Sequence, residues 1–277
     1  MNDKKAKEKD RRVRLIVKVA SLLAFLLAWY LLVTIAQNNN FLRYHGIADL
    51  PTPVEAAEAL ADNFFGSEGI VVERRGIGEH SLASFKKVLI GFGIASALGV
   101  TIGITMGYLK YGTDVGGTII EVLRPIPPLA WIPISIMIFR DNAPIFIVFL
   151  GCFFPIVLNT TYGVKSVDLK LMEAAKTLGG SSKHLITKVV LPWALPSIVT
   201  GMRIGLGIGW MSIVAAEMVG IKEGLGLGAF IWERHDMGHT DLVVAGMIMI
   251  GLIGWLMNFS IELVERKALK WKQMASG

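Results

Sequence analysis

Cysteine is almost missing. The 277 residues hold one, Cys152, inside an apolar run, so no intrachain disulfide can form and a thiolate zinc site has no ligand set. Charge is also scarce. Lys, Arg, Asp and Glu together make 18% of the chain, against about 25% for a soluble domain. No G-x-x-x-x-G-K-[ST] phosphate loop occurs, so this chain carries no nucleotide-hydrolysing motif of that kind. No serine, histidine and acid stand in a nucleophile arrangement. Ser135 and Ser212 lie alone in apolar stretches. The pair His235 and His239 in "HDMGH" lacks the H-E-x-x-H order and is not read as a metal site. "GLGLG" at 224–228 is read as a turn.

What is present is grease in long blocks. Hydrophobic residues make up 53% of the chain, and 30 glycines accompany them. A membrane crossing needs about 20 apolar residues. Six candidate spans appear, at about 19–36, 88–108, 115–139, 144–164, 197–220 and 242–264. The expected fold is therefore all-α and integral to the membrane, with six transmembrane helices. The first span follows a basic start, like a secretory signal, but its apolar core exceeds the usual 7–15 residues and it is read as a retained anchor.

Net charge is +6, yet the basic residues flank the apolar blocks and form no patch interleaved with aromatics. They read as orientation signals and not as a nucleic-acid surface. "MNDKKAKEKDRRVR" holds seven of them. Lys165, Lys170, Lys176, Lys183 and Lys188 surround a central polar stretch, and Arg266, Lys267, Lys270 and Lys272 follow the last span. Six crossings put all three segments on one side, which the positive-inside rule makes the cytoplasm. Both termini are then cytoplasmic in a multi-pass inner-membrane protein. The reading divides the chain into a basic N-terminus (1–18), a first helix (19–36) and an outer loop with a short helix (37–84). A core of five spans (85–265), with a cytoplasmic loop at about 165–193, and a tail (266–277) complete it. The outer loop holds "LPTPVEAAEALADNFF", an amphipathic helix after a proline turn. Lys86 and Lys87, on the wrong side for the rule, are read as snorkelling. No convincing internal repeat is visible.

The polar stretch "LMEAAKTLGGSSKHLITKVVLPWALP" (171–196) is built like a hairpin. Asp168 can cap a helix starting at Leu169. Leu171, Ala174, Ala175 and Leu178 share a face. Gly179 or Gly180 suits a left-handed helix end, and Ser181 or Ser182 can cap a second helix, expected to stop near Pro192.

These residues resemble a known signature. Glu173-Ala174-Ala175, three residues, Gly179, nine residues, Val189, one residue, then Leu191-Pro192 resembles the loop of binding-protein-dependent ABC importer permeases, with valine where isoleucine is usual. "LRPIPPLAWIPI", "PWALPSIVTGMRIGLGIGW", "AAEMVG" before "GLG" and "TDLVVAGMIMIGLIG" look like the nitrate/sulfonate/taurine subgroup, and the likeness spans about residues 80–265. It implies a type I importer permease fold with a cytoplasmic coupling helix. In that reading Leu171, Glu173, Ala174, Ala175, Lys176, Leu178, Gly179, Ser181, Leu191 and Pro192 meet a separate ATPase subunit. It further implies a homodimer with two ATP-binding cassette subunits, a soluble substrate-binding protein and a lipid bilayer around it. ATP and Mg belong to the ATPase partner, and this chain has no cofactor of its own. The implied solute is a small anion: sulfonate or taurine by overall likeness, ahead of nitrate or bicarbonate. A different small organic solute, or a stand-alone secondary transporter, is the alternative.

Four charges within the spans stand out: Glu121, Arg124, Arg203 and Glu217. Intramembrane charge is costly and points to function. Arg124 precedes Pro125, Pro127, Pro128 and Pro133, which must interrupt the helix beside Trp131. Broken backbone at membrane depth suits a water-filled route, so Arg124, Pro127, Pro128, Trp131, Arg203 and Glu217 are candidate path or gate residues. Arg203 and Glu217 lie about 21 Å apart along one helix and cannot pair there. Arg124 and Arg203 could attract an anion, or pair with Glu121 or a partner subunit. Glycines recur every four residues at 99, 103, 107 and at 201, 205, 209, the pattern of close helix packing.

Overall fold

A computed structural model describes residues 2–39, 49–65, 75–219 and 224–268. Lys270 and Lys272 of the sequence reading lie outside the described residues. Every regular element described is helical: α1 (Asn2–Asn38), α2 (Pro53–Asp62), α3 (Ile77–Tyr108), α4 (Gly112–Leu123), α5 (Ile132–Phe139), α6 (Ala143–Lys165), α7 (Leu169–Thr177), α8 (Ser182–Leu185), α9 (Leu191–Val219), α10 (Leu227–Asp236) and α11 (Thr240–Ala268).

Three long helices form the centre. α6 lies between α3 and α9, and glycines set the spacing. On α3, a Cβ at Gly99 would come 2.9 Å from Ile156, one at Gly103 2.6 Å from Thr160, and one at Gly107 2.7 Å from Val164. On the opposite flank Gly201 faces Asn159 and the Pro155 carbonyl, while Gly205 and Gly209 face Cys152. Each glycine row is therefore a groove for α6, as small residues at four-residue spacing allow. Cys152 is fully buried there and its thiol donates to the Gly205 carbonyl at 3.2 Å.

Among the described residues, five helical segments are long and apolar enough to cross a membrane: Arg12–Asn38, Ile77–Tyr108, Pro128–Lys165, Ser182–Val219 and Thr240–Arg266. The third span is interrupted at the prolines, where the sequence reading placed the break. It is two half-helices, α4 and α5, separated by Pro125–Pro128 and a short 3-10 turn at Pro128–Trp131. Four prolines in nine residues remove the donors a continuous helix needs. Alone, 12 and 8 residues reach about 18 and 12 Å, and only the two in series match a bilayer core of about 30 Å. The chain then reverses at Arg140, whose φ is +49°. α5 folds back on α6: Ile132 packs with Ile147, and Phe139 stacks on Phe146 at 4.7 Å.

α2 begins with a full capping box between Thr52 and Glu55 and has Pro53 in its first turn. Its buried Ala56 and Ala59 face inward, and Ala59 joins the core cluster that holds Leu242 and Ala245 of α11. α11 is fastened to α9 by the Trp210 indole, which donates to the Ile250 carbonyl at 3.1 Å.

Candidate functional site

The hairpin forms at one end of the bundle. The Asp168 side chain caps α7 by accepting from Lys170 N–H at 2.9 Å. The Gly179 φ of +83° turns the chain, and Gly180 N–H closes the turn on the Ala175 carbonyl at 3.0 Å. Ser181 caps the next segment by accepting from His184 N–H. No residue of α7 is buried. Leu171, Glu173, Ala174, Lys176, Gly179 and Ser181 are exposed, Ala175 is half-buried, and Leu178 stands 89% exposed at the tip. The root is apolar: Met172 and Leu191 pack on the buried cluster of Val164, Val167, Val190, Ala194 and Ile198.

The second helix does not stop near Pro192. Helix continues from Ser182 to Val219 through both Pro192 and Pro196. A π-turn at Ile186–Val190 accounts for this: Leu191 N–H reaches back to the Ile186 carbonyl, five residues away. The widened turn shifts the hydrogen-bond register just ahead of Pro192, which has no N–H to supply and whose ring needs room.

The candidate path residues separate into three places. Arg124 and Pro128 line a cavity of about 560 Å³ with Phe154, Asn159, Tyr162 and Ile208. Among the described residues, Arg124 is its only charged lining residue. Pro127 is exposed at the break, and Trp131 packs against the cluster of Ile132, Ile147 and Ala216. Arg203 turns away from this cavity. Its Nε donates to Asn258 at 3.1 Å, and Nη1 pairs with Glu265 at 3.4 Å, so its partner is on α11 and is not Glu121.

Glu217 occupies the opposite end of the bundle, with its side chain 2% exposed. It pairs with Lys87 at 2.9 Å, accepts from Ser84 Oγ at 2.7 Å and from Gly228 N–H at 3.2 Å. Lys87 is thus no snorkelling lysine. Burial beside a carboxylate holds it, and its ammonium also donates to the Leu225 carbonyl. Ser84 accepts from Leu227 N–H at 2.8 Å, and Gly226 N–H donates to buried His80 at 3.2 Å. Sequence reading missed His80, Ser84 and Lys87 as one group, although their spacing of four and three places them on one face of α3. The glycines of "GLGLG" belong to the same site: a Cβ at Gly226 would land on the Glu217 carboxylate.

The split span, the cavity lined by Arg124 and the exposed hairpin thus stand in one helical body with membrane-length helices. The profile described as binding-protein-dependent transport system inner membrane component matches residues 97–270, and the chain belongs to that family of multi-pass inner-membrane ABC importer permeases. It is 44% identical over 198 residues to a putative ABC transporter permease of Methanocaldococcus jannaschii, covering 71% of this chain and 74% of that one. It is 34% identical to a nitrate import permease of Synechocystis, covering 79% and 80% of the two chains. A taurine transport permease of Escherichia coli is 33% identical, with 80% of each chain covered. The fold is that of an inward-facing methionine ABC transporter structure, with TM-score 0.58, 20% identity and coverage of 69% of this chain and 94% of that one.

Proposed function

We propose that two copies of this chain form the translocation path of an ATP-driven importer for a small anion, with the 165–193 loop seated in a separate ATPase subunit on the cytoplasmic side. The exposed hairpin carries this reading. Leu171 and Leu178 place apolar surface in water on a short helix whose cap and turn are both hydrogen-bonded. Exposed apolar surface on an ordered element suits a protein partner, and Glu173 and Gly179 stand at the matching motif positions.

The basic N-terminus and the lysines around the hairpin support placing this end in the cytoplasm. The opposite end then faces the soluble binding protein. ATP and Mg belong to the ATPase, and this chain converts its movement into helix displacement. The single arginine at the mouth of the 560 Å³ cavity supports an anionic solute, since a guanidinium offers a fork of donors to a planar or tetrahedral anion. The nitrate and taurine permeases are about equally similar to this chain, so the reading is of the anion class and not of one solute.

The test is purification with the cognate ATPase and binding protein, followed by reconstitution in liposomes. ATP-dependent uptake of labelled taurine, nitrate or bicarbonate that requires all three components is the expected outcome. Transport by this chain alone, driven by an ion gradient, would overturn the reading.

A further inference from the structure

We propose that Glu217, held by Lys87 and Ser84, is the positioning residue that keeps the solute path closed at the end away from the hairpin. The inference rests on reading the 560 Å³ cavity as the path and the hairpin end as cytoplasmic.

Glu217 is an expensive residue to bury, because a charge taken out of water needs a partner and further hydrogen bonds. Here one carboxylate joins three elements. It ends α9, takes the ammonium of Lys87 and the hydroxyl of Ser84 from α3, and takes the Gly228 N–H from the start of α10. Lys87 and Ser84 extend the stitching to the Leu225 carbonyl and the Leu227 N–H. Glycine is required at 228 as well as 226, since a Cβ there would land on the Val214 carbonyl oxygen and come 2.8 Å from Glu217 Cβ.

The position of this network along the path gives it a function. The residue before Glu217, Ala216, is buried in the apolar cluster where α5 seats on α6 and α9 through Ile132, Ile147 and Trp131. On the hairpin side of that plug lies the cavity lined by Arg124, Leu150 and Ile208. On the other side lies a second space of about 370 Å³, lined by Lys87, Asp141, Pro144 and Glu217. Between them, along both α6 and α9, stands the cluster of Ile147 and Ala216, to which the eight-residue α5 contributes Ile132. α5 is flanked by the proline break on one side and by the positive φ of Arg140 on the other. The end of α9 that supplies Ala216 to this seat is also the end that Glu217 ties to α3. Loosening the carboxylate frees the wall on which the plug rests.

The experiment uses Ile208→Cys in a Cys152→Ala background, assembled with its partner subunits, in right-side-out and inside-out vesicles without nucleotide. A membrane-impermeant maleimide is applied to each. The parent is expected to label from the cytoplasmic face and scarcely from the outer face. Adding Glu217→Gln raises outer-face labelling about tenfold, the change expected for losing one interaction with a charged group. Ser84→Ala, which keeps the ion pair, gives a smaller rise and carries the test if Glu217→Gln does not accumulate. A role in stability alone would lower the yield and leave the outer-face rate unchanged. Unchanged outer-face labelling in the variants, with cytoplasmic labelling intact, overturns the inference and leaves the path reading standing. So does a parent already labelled from outside. A cysteine unreactive from both faces overturns the path reading itself.

Discussion

The Trp193 indole N–H donates to the Ser166 carbonyl at 3.1 Å, tying the first turn of α9 to the end of α6 across the base of the hairpin. Together with the apolar cluster of Val164, Val167 and Val190, this bond makes the hairpin root one body with two central helices. Trp193→Phe keeps the ring and removes the donor. The expected loss is about 1 kcal/mol of local stability. ATPase co-purification should persist while solute moved per ATP hydrolysed falls. An unaltered ratio in reconstituted liposomes would show that the bond transmits nothing.

The tip of the hairpin should govern association. Leu178→Asp is expected to weaken ATPase binding about tenfold or more, as for a central interface anchor, without changing the melting temperature of the isolated chain. Gly179→Ala must hold a methyl group at φ +83°, costing about 1–2 kcal/mol. Titration of detergent-purified protein with the ATPase subunit reads both.

Glycine positions differ sharply in what they tolerate. Gly103→Ala pushes a methyl into Thr160 and the Val157 carbonyl, and should cost about 1–3 kcal/mol through overpacking. Gly207 has no atom within 4 Å of its would-be Cβ, so Gly207→Ala should be neutral or gain up to about 1 kcal/mol from helix propensity. Thermal unfolding in detergent separates the two.

The two membrane arginines should also part company. Arg124→Gln is expected to reduce anion uptake about tenfold, one charged interaction with the solute being lost. Arg203→Gln removes a half-exposed pair with Glu265, so stability should fall by about 0.5 kcal/mol with uptake unchanged. The reverse pattern in uptake assays would move the anion route to the α9–α11 side.

What was legible in the sequence was local. The Asp168 cap, the left-handed Gly179, the Ser181 cap, the helix after Pro53 and the four-residue glycine rows each depend on neighbours within about one helical turn. What was hidden depended on distant partners. Lys87 looked like a misplaced surface charge because its carboxylate lies 130 residues away. Arg203 looked available because Glu265 lies 62 residues away. Pro192 looked like a stop because nothing in residue types announces a π-turn five residues earlier. The third span read as one broken crossing, and only the reversal at Arg140 shows how its second half turns back onto α6.

The π-turn has a mechanical corollary. Because it spares the chain a break at Pro192, 38 residues from Ser182 to Val219 run as a single rod, about 57 Å from end to end. A swing of roughly 5° about one tip carries the other through about 5 Å, given that length. Leverage of that size needs no relay of side chains: whatever nudges the serine end is felt, magnified, by the acid near the valine end.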